Sequence, residues 1–321
     1  VGVGAGVGVG AGVGAETDPH TSSALHNPSA PTLHLLFLTH AHLERHCGEQ
    51  ALLLLRGSAG GTGLNHVLPT SLPVVAQGAL ALYTLRRYDE AESAFERVRI
   101  ADPFRLQQLD TYSNILYVKE KRADLSHLAH AVVGVEKHRP ETCCVVGNYY
   151  SLRGQHEKAV THFQRAVRLN SAYLSAWTLM GHEYMELRNT AAAVQCYRNA
   201  VNISEVDYRA WYGLGQTYEM LHLYQYALYY YRKAAFLRPA DARMWGAVGN
   251  CLLKLGLKKK AISALERGVR CDTGGVDTRD LARLCREDGQ AARAAEYYFR
   301  FLHGRQFFDV PGGAAGAAGV G

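Results

Sequence analysis

No run of eighteen uninterrupted apolar residues occurs in this chain of 321 residues, so a helical membrane span is not expected. Excess charge of one sign is equally scarce. Lys and Arg number 35 against 29 Asp and Glu, a formal +6 that is too mild to call for a nucleic-acid surface. The one tight basic cluster, Lys258, Lys259 and Lys260, fits a solvated helix face or turn. Seven cysteines is an odd number. They sit in apolar helical contexts without paired spacing, as Cys196 and Cys251 do, which speaks against a disulfide framework and favours a reducing compartment.

Convergent acids, bases, nucleophiles or metal ligands at a credible spacing are missing too, so no catalytic, cofactor or metal site is expected. His40, His42 and His46 include an i, i+4 pair that could ligate metal on a helix, but no third ligand follows in a fixed pattern. His127 with His130, and the adjacent Cys143 and Cys144, read as ordinary helix residues. No glycine-rich turn between a strand and a helix is present to cradle phosphate.

Residues 1–31 and 304–321 are rich in Gly, Ala and Pro and offer few large side chains to a core. Both are expected to be low-complexity tails, since ordering entropy outweighs what they could bury. The opening Gly/Val/Ala tract lacks the basic leader and compact apolar block of a signal peptide. Residues 32–71 read as a degenerate, poorly packed partial repeat followed by a Gly-rich break from Gly57 to Gly63.

What is abundant is repetition. From Leu72 onward Trp177, Trp211 and Trp245 recur every 34 residues, as do Gly147, Gly181, Gly215 and Gly249, and Ala159, Ala193, Ala227 and Ala261. Copies begin near 72, 106, 140, 174, 208, 242 and 275. Each holds two segments of helical apolar spacing joined by a short polar turn, so each copy is one helical hairpin.

In the copy from 208, Trp211, Leu214, Gly215 and Tyr218, then Ala227, Tyr231, Ala234 and Pro239, fall at every diagnostic position of the tetratricopeptide repeat, which the pattern resembles. A helical glycine costs about 1 kcal/mol relative to alanine, so its recurrence requires an offsetting gain. Gly215 and Ala227 are expected to let the two helices of a hairpin touch. Trp211, Leu214, Tyr218 and Tyr231 are expected to fill the core, each contributing roughly 1.5 to 3 kcal/mol on complete burial. Tyr229 and Tyr230 fit a repeat junction or a partner surface. The fold class is therefore all-α: a tetratricopeptide superhelix of about seven hairpins over 72–303, its concave groove lined by first helices.

With those positions given to the core, repeat positions 2, 5, 9, 12 and 13 face the groove. Position 9 reads Asn114, Asn148, His182, Gln216 and Asn250, a polar row able to bond the backbone of an extended peptide. Asp110, Glu141, Glu186 and Glu219 add negative charge, offset by Arg209 and Arg243. A solvated inner face without ligand is the alternative. Position 5 reads Asp110, Cys144, Thr178, Tyr212 and Gly246 without a lysine, so it lacks the carboxylate clamp of chaperone-binding relatives.

The strings Asp110–Tyr117, Glu141–Leu152, Ala176–Met185 and Asp207–Tyr218 include positions the repeat leaves free, and they are similar to the Cdc23-type subunit of the anaphase-promoting complex. The resemblance implies a non-catalytic scaffold in a nuclear and cytoplasmic cell-cycle ubiquitin ligase, with catalysis in separate cullin and RING subunits. It also implies contacts with the other scaffold subunits, a homodimer, and binding of an activator's N-terminal motif that carries an essential arginine. Most N-terminal repeats that dimerise in the family are missing here. Another tetratricopeptide subunit of the same complex and an adaptor of an unrelated pathway are the rival readings.

Overall fold

The computed structural model describes residues 30–57, 71–271 and 276–303, and every regular element among them is an α-helix. Residues 1–29 and 304–321 of the expected tails lie outside the described residues, as does the Gly-rich break after Gly57. The helices pair as α1 (Ala30–Glu44) with α2 (Gly48–Arg56), α3 (Leu72–Thr84) with α4 (Tyr88–Ala101), and α5 (Leu109–Val118) with α6 (Arg122–Val135). Then follow α7 (Pro140–Leu152) with α8 (His156–Leu169), α9 (Leu174–Glu186) with α10 (Thr190–Ile203), and α11 (Tyr208–Met220) with α12 (Tyr224–Leu237). The array closes with α13 (Ala242–Lys254) on α14 (Lys258–Cys271) and α15 (Val276–Glu287) on α16 (Ala291–His303).

The starts follow the sequence register closely. Pro73 and Pro140 occupy the first turns of α3 and α7, where a missing amide hydrogen does no harm, and the Asp207 and Asp241 side chains cap α11 and α13. The exception is α5, which starts at Leu109 rather than 106 because Gln108 before it is left-handed, with φ of 66°.

The turns share one backbone device. In every hairpin the residue closing the first helix is left-handed: His46, Arg86, Glu120, Gly154, Arg188, His222, Gly256 and Gly289. The amide that follows then reaches back over the helix end, as from Asn189 to the Tyr184 carbonyl at 2.8 Å and from Leu223 to that of Tyr218 at 2.9 Å. Only three of the eight are glycine, so composition alone conceals the motif.

The recurring glycine does something other than bring backbones together. A Cβ on Gly215 would lie 2.5 Å from the Tyr231 ring, on Gly181 2.6 Å from Tyr197, and on Gly147 2.4 Å from Phe163. Each glycine leaves the floor on which the large side chain of its own second helix lies flat. That is the gain that offsets its low helix propensity.

Burial is more selective than the consensus suggests. Leu214 and Tyr231 are buried, but Trp177, Trp211, Trp245 and Tyr218 are only half-buried. Each indole Nε1 instead donates to the carbonyl six residues earlier, at Ser171, Glu205 and Pro239, at 2.9, 2.8 and 2.8 Å. The tryptophans thereby pin each first helix to the linker before it.

Residues 32–57 depart from expectation as well. Instead of a poorly packed fragment, α1 and α2 form a hairpin that stacks on α3. Leu43, Ala51 and Leu55 are buried, Val74 and Ala81 of α3 complete the contact, and the Thr39 hydroxyl donates to Gln77 at 2.6 Å. The described array thus has eight hairpins. The register of this first one escapes a 34-residue comparison because a longer segment separates it from the next.

Candidate peptide-binding groove

The inner side of the array holds a cavity of about 1350 Å³, walled by α7, α9, α11 and α13 and by the turns of the first two hairpins. Of the residues predicted from the repeat register, Asn148, His182, Glu186, Tyr212, Gln216, Glu219 and Asn250 line it. Asp110 and Asn114 do not.

Asp110 is buried, and its carboxyl is pushed up by that burial, against which hydrogen bonds from Tyr173 and Ser175 act. Those two residues begin the first helix of a later hairpin, so Asp110 joins hairpins together. Asn114 is spent on a neighbour: Asn148 Nδ2 donates to its Oδ1 at 2.7 Å and to Ser113 Oγ at 2.8 Å. Asn148 itself is 2% exposed. Its amide therefore knits α5 to α7 before it serves any ligand, while Gln216 is half-buried and Asn250 exposed to the cavity.

Glu183, Ser151 and His156 form a second buried polar group. The Glu183 carboxylate accepts from Ser151 Oγ at 2.7 Å and bonds His156 Nδ1 at 2.8 Å, while burial raises its pKa. Ser and His both bind the carboxylate rather than each other, so the trio locks α7, α8 and α9 instead of activating a nucleophile. Glu183 falls at repeat position 10, outside positions 2, 5, 9, 12 and 13 that the register turns to the groove.

Acids on the wall differ in freedom. The Tyr231 hydroxyl donates to Glu219 at 2.6 Å, leaving the carboxylate one oxygen for a ligand. Glu186 is exposed on the same wall. His182 projects into the cavity and shares a hydrogen bond with the Tyr197 hydroxyl at 2.8 Å. The surrounding wall, with Arg209 nearby, lowers its pKa, though the ring itself is exposed to the cavity and so keeps part of its hydration.

The cavity is closed on its far side by a contact no repeat pattern contains. His46, in the α1–α2 turn, lies with Nε2 3.5 Å from Asp207 Oδ1 and its ring edge-on to Tyr208 at 5.2 Å. Arg209 Nε donates to the same carboxylate oxygen at 2.9 Å. Asp207 is fully buried, and although burial opposes it, the Arg209 charge holds the carboxyl far below the usual carboxylate range. Arg238 stacks over the Tyr208 ring at 4.8 Å and donates to the Thr84 carbonyl at 3.0 Å. The turns of the first two hairpins are thereby clasped to the start of α11 and the end of α12. His46 belongs to this clasp rather than to a metal site, and among the described residues no three His, Cys, Asp or Glu are placed to hold a metal ion. No helix among them is long and apolar enough to cross a membrane.

Family models described as tetratricopeptide repeat match residues 140–173, 178–242 and 224–276. Among curated proteins, the chain is 58% identical over 119 residues to anaphase-promoting complex subunit 8 of Arabidopsis thaliana, covering 37% of this chain and 21% of that protein. It is 48% identical over 158 residues to subunit 8 of Dictyostelium discoideum, covering 49% and 26%. Cell division cycle protein 27 homolog B of Arabidopsis thaliana is 41% identical over 114 residues, covering 36% and 15%. The chain thus spans about a quarter or less of the length of these relatives.

Proposed function

We propose that the chain, whose repeats are similar to those of Cdc23-type subunits, is a non-catalytic scaffold segment of an anaphase-promoting complex, holding an extended activator segment in its concave cavity. Within that complex the subunit 8 reading is favoured over a Cdc27-type one by 58% against 41% identity over similar lengths. Its partners are the other scaffold subunits, with a homodimer implied by the same resemblance, and its setting is nuclear and cytoplasmic.

One observation carries the binding reading: the cavity places the amides of Gln216 and Asn250 alongside the carboxylates of Glu186 and Glu219 on one wall. Amides satisfy a peptide backbone that loses water on entry, and carboxylates suit a guanidinium. Affinity purification of the tagged chain tests the scaffold role. Recovery with a cullin and RING ligase is the expected result, and recovery with an unrelated assembly would leave only a generic adaptor.

A further inference from the structure

The outer faces of α10 and α12 stand apart from the rest of the array in charge. Neither helix contains an acidic residue, whereas α4 carries Asp89, Glu90, Glu92 and Glu96, α6 Asp124, α8 Glu157, α14 Glu266 and α16 Glu296. Exposed cations remain: Arg198 on α10, and Arg232 and Lys233 on α12.

The same face bears a shelf of aromatic rings. Tyr226 is 60% exposed, Tyr229 55% and Phe236 82%. Spacings of three, four and seven residues put Tyr226, Tyr229, Tyr230, Lys233 and Phe236 on one side of α12. Tyr218 stacks on Tyr230 at 5.2 Å and on Tyr226 at 5.7 Å, while Trp211 lies 6.0 Å from Tyr230. Arg198 Nη2 donates to the Tyr218 hydroxyl at 3.0 Å, which brings the α10 cation onto the shelf. None of Tyr226, Tyr229, Tyr230 or Phe236 lines the cavity, so the surface is separate from the groove.

We infer that the α10–α12 outer face is a second docking surface, taking a partner protein segment that carries acidic side chains beside apolar ones. Three features converge on that chemistry. Exposed Tyr, Phe and Arg are the side chains that anchor protein interfaces, because they bury much area with few rotatable bonds. The cations without acids on their own helices select a negatively charged partner. The ring faces of Tyr218 and Tyr230 are already occupied by stacking, which leaves ring edges and hydroxyls, the positive rim of the aromatic quadrupole, to meet carboxylates. A single-stranded nucleic acid would need those faces free for its bases.

Site-specific photocrosslinking in cells tests this surface with the full chain. With p-benzoylphenylalanine at Tyr229, the expected product is a protein crosslink whose sequenced peptide carries an excess of Asp and Glu. Charge reversal by Arg232→Glu with Lys233→Glu should lower its yield at least tenfold, while Glu186→Lys in the groove leaves it unchanged. Because these are exposed side chains, circular dichroism of the variants should match wild type. A crosslink to nucleic acid, to a second copy of the chain or to a segment without acidic excess would overturn the proposal. So would no crosslink, or a yield indifferent to the charge reversal. Loss of groove binding would leave this result standing.

Discussion

Arg238 donates its Nη2 hydrogen to the backbone carbonyl of Thr84 at 3.0 Å, joining residues 154 apart in sequence. Together with His46 and Asp207 it turns an open spiral of hairpins into a cavity with a far wall. The clasp centres on one fully buried carboxylate, Asp207, so its strength depends on keeping that group's partners.

Asp207 and Asp241 occupy equivalent places one repeat apart, each pairing with an arginine two residues on, but their settings differ. Asp207→Ala strands Arg209 in the clasp and should destabilise the protein by about 3 to 5 kcal/mol. Asp241→Ala leaves Arg243, which is 46% exposed, to water and removes the α13 cap, so it should cost about 0.5 to 2 kcal/mol. Urea denaturation of both variants measures the difference, and equal losses would show that the clasp does not close the array.

Gly215→Ala should destabilise by roughly 1 to 3 kcal/mol, since its methyl would meet the Tyr231 ring at 2.5 Å. Gly78→Ala makes the opposite prediction. Its Cβ would meet only Leu55 Cδ1 at 3.8 Å, an ordinary contact, so helix propensity should raise stability by up to about 1 kcal/mol. Thermal melts that rank the two alike would argue against the glycine-to-ring packing.

Glu120 holds φ of 53° at an exposed turn. Glycine tolerates that conformation without a Cβ clash, so Glu120→Gly should stabilise by about 1 kcal/mol, read from the urea midpoint. A loss instead would mean that the greater freedom of the unfolded glycine chain outweighs the relieved strain.

For the groove, Glu186→Lys or Glu219→Lys should weaken an arginine-bearing activator peptide about tenfold or more, or about 1.4 kcal/mol, by fluorescence anisotropy. Gln216→Ala and Asn250→Ala should weaken it less and with little salt dependence. Asn148→Ala should also lower stability, because Asn148 bridges Ser113 and Asn114. If none of these variants alters affinity, the cavity is not the site.

Acid should loosen the array from the clasp inward. Burial, with Arg209 and Arg238 opposing the pull of Asp207, holds His46 below the ordinary histidine range, and the surrounding wall lowers His182 as well. Both take protons more readily when unfolded, so their stabilisation is full above about pH 6.5 and is lost as pH falls toward 4. The depressed carboxyl of Asp207 adds a loss only at lower pH still. The raised carboxyls of Asp110 and Glu183 act in the opposite direction, so the test is a difference: the urea midpoint should fall more between pH 7.5 and 5 in wild type than in His46→Gln with His182→Gln.

Much of the hairpin architecture was legible because it is local. Gly215 and Tyr231, or Gly181 and Tyr197, meet within one hairpin at a fixed offset, and the 34-residue period repeats that offset along the chain. The left-handed turns were less visible, since Arg86, Glu120, Arg188 and His222 adopt by context what glycine adopts freely. Groove membership could be read for Gln216 and Asn250 from register alone. It failed for Asp110 and Asn114, whose polar atoms are taken up by neighbouring hairpins.

By itself, then, the sequence determined the all-α repeat and the pairing of each first helix with its second. Those follow from contacts a few turns apart, where apolar spacing decides which face is buried. Only the tertiary structure decided that the α1–α2 hairpin belongs to the stack, that Asn148 knits helices, and that His46 and Thr84 meet Asp207 and Arg238 across the cavity. Such contacts depend on the rotation accumulated over all the intervening hairpins, a sum of small packing angles that no single repeat encodes.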